Sequence, residues 1–278
     1  MKIIISAEST IDLTPELKEK FQIKTIPYTF TLGDETHTDG EFPTEQIFEY
    51  VKTNKILPKT SALNEYQYNE YFTELLQEGD AVIHFCLSGG ISCSCSNAQR
   101  AASELKNVYV VDTKSLSTGI ALLAIRAAKL IEEGKDVEYV YNDAIETTKK
   151  VQASFVINRL DYLYKGGRCN ALQLLGANLL KLKPQIGLKD GKMGMEKKFS
   201  GKWDEVVKKY AVEILDNNPE IELDEVFITY TTAPDEVVEA IRQILIKRGF
   251  KNINVTRAGC TISSHCGENT LGVLFIKK

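Results

Sequence analysis

Continuous apolar runs, rather than alternating ones, mark the first part of the chain. Residues 2–6 (KIIIS), 25–32 (TIPYTFTL), 78–88 (EGDAVIHFCLS, with Gly79-Asp80 turning into the run) and 107–113 (NVYVVDT) each read as a strand. Such runs, separated by helical patterns, predict parallel strands covered on both faces. Asn64 followed by Gln67 resembles a capping box ahead of Tyr68, Phe72, Leu75 and Leu76. Ala98, Ala101, Ala102 and Leu105 share one helical face. Residues 116–133 form a strongly apolar helix ending at Gly134, and 136–150 form another.

The texture changes after residue 153. Two helical patterns, ASFVINRLDYLYK and NALQLLGANLLKL, flank a GGRC break. KPQIGLKDGKMGMEKKF then reads as a β-hairpin turning at Asp190-Gly191, with Pro184 at the start of its first strand. A helix (203–217), a strand (225–231), a helix (234–249) and strands near 252–258 and 271–277 follow. We read an α/β protein of two domains. Residues 1–153 form a Rossmann-like parallel sheet with helices on both faces, and 154–278 an α+β domain with a mixed sheet.

The 278 residues, 43% of them apolar, can bury a sizeable core. A formal net charge of -4 argues against a nucleic-acid partner. The opening MKIIISAEST is too short an apolar run for a signal peptide, and no run reaches membrane-spanning length. A cytoplasmic protein is expected, its six cysteines reduced.

Four stretches carry candidate chemistry. In FCLSGGISCSCSNAQRAA (85–102) a strand passes through a Ser/Gly turn into a helix, where free N–H groups and hydroxyls suit an anion, or where Ser94 or Ser96 simply caps the helix. It matches neither a phosphate loop nor a nucleophile elbow. Thr60-Ser61 is a hydroxyl pair in a polar turn. KGGRCNAL (165–172) offers Arg168, a planar fork for a carboxylate or phosphate, or else a solvated helix stop. The last of three histidines, His265, follows Ser263 and Ser264 in a loop before an apolar strand, where it can hold a hydroxyl that faces an anion. No metal site is expected: there is no CxxC pair, and the histidines lie far apart in sequence. A catalytic Cys93 or Cys95 at a helix start has no base identifiable from the sequence.

Taken in order, these stretches resemble the DegV family of bacterial fatty-acid-binding proteins. ESTIDL (8–13) is similar to its D-S-T-x-D-L, and DGEF (39–42) to its D-G-x-D. TSALN (60–64) stands for T-S-Q-P-S, and LSGGISCSCSNA (87–98) for L-S-S-x-L-S-G-T-Y-x-S-A. VVDTKSLSTGIALLAIRAA (110–128) is similar to V-V-D-S-x-x-x-S-x-G and its apolar helix. LDYLYKGGRC (160–169), KPQIGLKDGKM (183–193) and SSHCGENTLGV (263–273) complete the series.

The resemblance implies a long-chain fatty acid in an apolar tunnel between the domains, and no cofactor. Thr60, Ser61, Ser92, Cys93, Arg168 and His265 would surround its carboxylate. A kinase that forms acyl phosphate would be the partner, and transient membrane contact is compatible with the cargo; Lys165, Arg168, Lys197, Lys198 and Lys202 either meet that partner or form a solvated charge cluster. No catalytic residue is implied. The chain departs from the pattern at Glu8, Ala62-Leu63-Asn64, Cys93-Ser94-Cys95 and Asn269, which leaves the identity of the acid open. Two rival readings remain: an acyl transferase or hydrolase using Cys93 or Ser92 with His265, and a module for another anionic lipid or metabolite.

Overall fold

A computed structural model describes residues 1–169 and 182–278. Its first half runs β1 (Ile3–Glu8), α1 (Pro15–Lys20), β2 (Ile23–Ile26), β3 (Thr29–Leu32), β4 (Glu35–Thr38), α2 (Thr44–Asn54), β5 (Lys59–Ser61), α3 (Glu65–Glu78), β6 (Ala81–Cys86), α4 (Ser94–Ser103), β7 (Val108–Asp112), α5 (Thr118–Glu132) and α6 (Val137–Thr147). The second half runs β8 (Val151–Gln152), β9 (Ser154–Ile157), α7 (Asp161–Gly166), β10 (Leu182–Lys189), β11 (Lys192–Ser200), α8 (Trp203–Asp216), β12 (Ile221–Tyr230), α9 (Asp235–Arg248), β13 (Asn252–Arg257), α10 (Cys260–Cys266) and β14 (Thr270–Lys277).

The first sheet has order β2-β1-β6-β7 and is parallel throughout. Its strands are apolar on both faces because both faces are covered. Ile5, Ala7, Ile83, Phe85 and Val111 pack with α5 and α6. Ile4, Val82, Cys86 and Val110 pack with α3 and α4. The capping box of α3 forms as expected, Asn64 accepting from Gln67 N and Gln67 Oε1 accepting from Asn64 N. The second sheet, β11-β10-β9-β14-β12-β13 with β8 on β14, is mixed: only β12 and β13 run parallel. Asp190 and Gly191 turn its β10–β11 hairpin at positive φ.

Four expectations are corrected. The run 25–32 is two strands, because Pro27 and Tyr28 interrupt it. β2 stays in the parallel sheet, and β3 joins a separate antiparallel sheet, β4-β3-β5. The segment from Ala153 is not a helix at its start. β9 is strand because β10 and β14 pair with its two edges, and only α7 is helical. Pro184 lies inside β10 opposite Lys198 rather than at its start. His265 lies in helix α10, not in a loop. The helix expected at 170–182 lies almost wholly outside the described residues. No disulfide forms among the described residues, and none of their helices is long and apolar enough to cross a membrane.

Candidate functional site

The site is assembled by four separate pieces of chain. α10 carries His265 on seven residues rich in Ser, Thr and Cys, which have weak helix propensity. Tertiary bonds compensate. Its N-terminal amides have no side-chain cap of their own; instead Gly259 N donates to Asp12 Oδ1 at 2.8 Å and Cys260 N to Asp39 Oδ1 at 2.7 Å. Asp12 also accepts from Ser117 Oγ at 2.5 Å. Burial pushes the Asp12 carboxyl up to about 8, against the pull of its bonds from Ser117 and Gly259.

β5 brings Thr60 against α10, and Thr60 Oγ1 and His265 Nε2 are 2.8 Å apart. Burial, with a smaller contribution from the Arg168 guanidinium, lowers the His265 pKa to about 4, so the ring is neutral at pH 7. On the other side of the ring, α7 ends at Gly166. A Cβ there would stand 2.5 Å from His265 Nδ1. Arg168 follows, with Nη1 bonded to Gly166 O at 2.6 Å.

Ser92 comes from the loop between β6 and α4. Its Oγ accepts from Ser94 N at 3.2 Å and donates to Ser94 Oγ at 3.2 Å, while Ser94 Oγ accepts from Leu63 N at 3.1 Å. The helix cap is therefore neither Ser94 nor Ser96. Cys93 occupies that position without a side-chain bond, and Ser96 Oγ donates back to Cys93 O at 2.7 Å. The hairpin turn docks on the same loop through Ser88 Oγ to Gly191 O, 2.8 Å, which sets Met193 beside it.

Thr60, Ser92, Arg168 and His265 line one pocket, with Leu87, Ile91, Leu116, Met193 and Ile262 as its apolar wall. Arg168 is its one charged residue among those described. Ser61 and Cys93 are exposed and do not line it. Two hydroxyl-bearing lining residues escaped the sequence reading, Tyr28 and Thr261. Thr261 Oγ1 and His265 Nδ1 are buried without a hydrogen-bond partner, while the buried Tyr28 hydroxyl lies beside those of Ser94 and Ser92. No motif announces Tyr28; the only cue is the preceding Pro27, which turns the chain between two sheets. The pocket holds about 50 Å³. A second cavity of about 30 Å³, bounded by Phe155, Thr229, Gly272 and Leu274, shares Leu116, Ile262 and Cys266 with it. Among the described residues these three side chains thus lie between two small hollows. A larger groove of about 310 Å³ elsewhere is lined by charges that satisfy one another, such as Arg126 with Glu222 and Lys129 with Asp224.

Residues 2–278 match the family model described as "Uncharacterised protein, DegV family". The chain belongs to the DegV family. This DegV chain is 30% identical over 282 residues to a DegV domain-containing protein of Clostridium acetobutylicum, covering 100% of the chain and 99% of the relative. It is 28% identical over 283 residues to protein DegV of Bacillus subtilis, with 100% of both covered. Among solved structures it resembles a DegV family protein of Thermus thermophilus described by its fatty acid binding (TM-score 0.92, 26% identity, 100% of both chains). It also resembles B. subtilis DegV, described as a fatty acid binding protein (TM-score 0.87, 26% identity, 100% of both chains).

Proposed function

We propose that this chain binds a long-chain fatty acid, with its carboxylate among Thr60, Ser92, Arg168 and His265 and its tail running past Leu116 and Ile262. One observation carries the reading. Two residues with a buried polar atom that has no partner, Thr261 and His265, line a single pocket with Thr60, Ser92 and Arg168, and its other wall is apolar. Unpaired buried polar atoms are costly, at about 1–3 kcal/mol each, and a ligand with a polar head would relieve that cost. A carboxylate has lone pairs for several donors, and Arg168 supplies the opposite charge. Each methylene buried contributes about 0.8 kcal/mol. A water needs roughly 10–15 Å³ of such space, so the two hollows hold a few waters, and the Leu116, Ile262 and Cys266 side chains must part to admit a tail.

The geometry favours holding over reacting. Among the described residues His265 bonds Thr60 and neither Ser92 nor Cys93, so neither nucleophile of the rival reading is paired with it as a base. Presentation of the carboxylate to a kinase that forms acyl phosphate is the finer part of the proposal. Lys197 is already engaged by Glu213 at 2.6 Å, which leaves Lys165, Arg168, Lys198 and Lys202 as the partner contacts.

Lipid extraction and native mass spectrometry of protein purified from a bacterial host, followed by titration of delipidated protein with oleate or palmitate, test the reading. One bound acid per chain is expected. His265→Ala should weaken binding about 30-fold, the loss of one hydrogen bond to a charged group at roughly 2 kcal/mol. No co-purifying acid and no uptake would reject it. Turnover of an activated acyl ester that disappears in Cys93→Ala would replace it with the enzymatic reading.

A further inference from the structure

We propose that Glu8, His84 and Cys86, with Cys95 beside them, form a site for one divalent transition-metal ion of the zinc class in the core of the parallel sheet. Register places them together. β1 and β6 run side by side with Ser6 opposite His84, and Glu8 and Cys86 lie two residues further along their strands, on the same sheet face. A ligand atom from each of Glu8, His84 and Cys86 lies within 4.8 Å of the others, and all three residues are fully buried. Oxygen, imidazole nitrogen and sulfur are the donor set of zinc, and two of the three ligands carry negative charge when bound.

The charges balance. The ion brings two positive charges; Cys86 binds as thiolate and Glu8 as carboxylate, each giving its proton to solvent, while His84 binds neutral. The buried assembly then has no net charge, the condition under which an ion is tolerated in a core. The surroundings match those that orient metal ligands. Tyr68 Oη donates to Glu8 Oε1 at 2.7 Å, Leu87 N donates to Glu8 Oε2 at 2.5 Å, and Ser6 Oγ is 2.8 Å from His84 Nδ1. The second ring nitrogen, His84 Nε2, is buried without a partner, so the network is one contact short. Among the described residues no Lys or Arg is bonded to Glu8, so the carboxylate has no other counter-charge. The Cys86 thiol also meets that of Cys95, in the first turn of α4, which puts a second sulfur next to the three ligands. The ion would tie the ends of β1 and β6 together beneath the loop that carries Ser92.

Reduced protein, stripped with chelator and dialysed, is titrated anaerobically with Co²⁺ and then with Zn²⁺. One equivalent of cobalt should bind, with a thiolate-to-cobalt charge-transfer band in the near ultraviolet that Zn²⁺ abolishes. The band should vanish in Cys86→Ala, weaken in Glu8→Gln and persist in Cys93→Ser. Failure of the wild-type chain to take up cobalt stoichiometrically, or binding without the thiolate band, overturns the site without recourse to any variant. A band that survives Cys86→Ala, or that is lost in Cys93→Ser, also overturns it.

Discussion

Two buried imidazoles invite comparison. His84 sits in the core of the parallel sheet, and His265 sits at the pocket. Each lies 2.8 Å from a hydroxyl, on Ser6 and Thr60 respectively, and each keeps a second ring nitrogen without a partner. Burial depresses both pKa values, to about 3 and about 4. What separates them is space. Edge-on rings of Tyr68, Phe72 and Tyr71, at 5.5, 5.1 and 6.2 Å, enclose His84, so only something as small as an ion fits there. His265 opens on a hollow with an apolar wall and an arginine, which suits an extended amphiphile. A hydroxyl–imidazole pair therefore does not by itself mark a ligand site; the shape of the neighbouring wall does.

The sharpest way to break that comparison is Phe72→Ala. Phe72 is fully buried between α3 and the sheet, and its removal should destabilise the fold by about 3–5 kcal/mol. Urea unfolding reads the loss, and fatty acid affinity per folded molecule should stay the same. A tenfold fall in that affinity would mean that the core around His84 and the pocket act as one unit.

Asp12→Asn probes the helix beneath His265. The Asp12 carboxyl is raised to about 8 in the folded chain, against an ordinary value of 3.8. The native state therefore holds its proton more tightly than the unfolded one. The resulting stability is complete below about pH 4 and is lost as pH climbs towards 8. Asparagine does not titrate. Stability of the wild type relative to Asp12→Asn should thus fall between pH 5 and pH 8, by up to about 1.4 kcal/mol per pH unit. A flat difference would show that Asp12 is ionised in the fold.

Gly166→Ala isolates the placement of the His265 ring. The added methyl would stand 2.5 Å from Nδ1, so the imidazole must swing away from Thr60. Fatty acid binding should weaken about tenfold, roughly 1.4 kcal/mol, with little change in unfolding midpoint. Unaltered affinity would mean that the ring need not be held where it stands.

How far the sequence shows these features depends on where the determining contacts lie. β1, β6, β7, the capped helix α3, α5 and the Asp190-Gly191 hairpin are written in local pattern, and each appears. β9 and α10 are not. The short apolar run Phe155–Ile157 reads equally as helix or strand, and only pairing with β10 and β14 decides it. α10 is a run of weak helix formers anchored by carboxylates from far away in the chain. At the site, Thr60, Ser92, Arg168 and His265 are legible through their resemblance to family motifs. Ser61 and Cys93 follow from adjacency in sequence, yet their side chains are exposed. Tyr28 and Thr261 carry no motif: Tyr28 is marked only by the Pro27 before it, and Thr261 only by a buried hydroxyl left unpaired, which exists only in three dimensions.

Tyr28→Phe sharpens the comparison with the smallest change. It deletes one oxygen and leaves the ring. If the Tyr28 hydroxyl, beside Ser94 and Ser92, turns to a bound carboxylate, the substitution should weaken fatty acid binding about three- to tenfold, the contribution of one ordinary hydrogen bond at roughly 0.5–1.5 kcal/mol. The ligand-free protein should lose no more than about 1.5 kcal/mol, the contribution of the same hydroxyl to its serine neighbours. Paired calorimetric titration and thermal unfolding read the two effects at once. Unaltered binding together with lower stability would show that the phenol serves only the fold, as the hydroxyl of Tyr71 does beside Ser6.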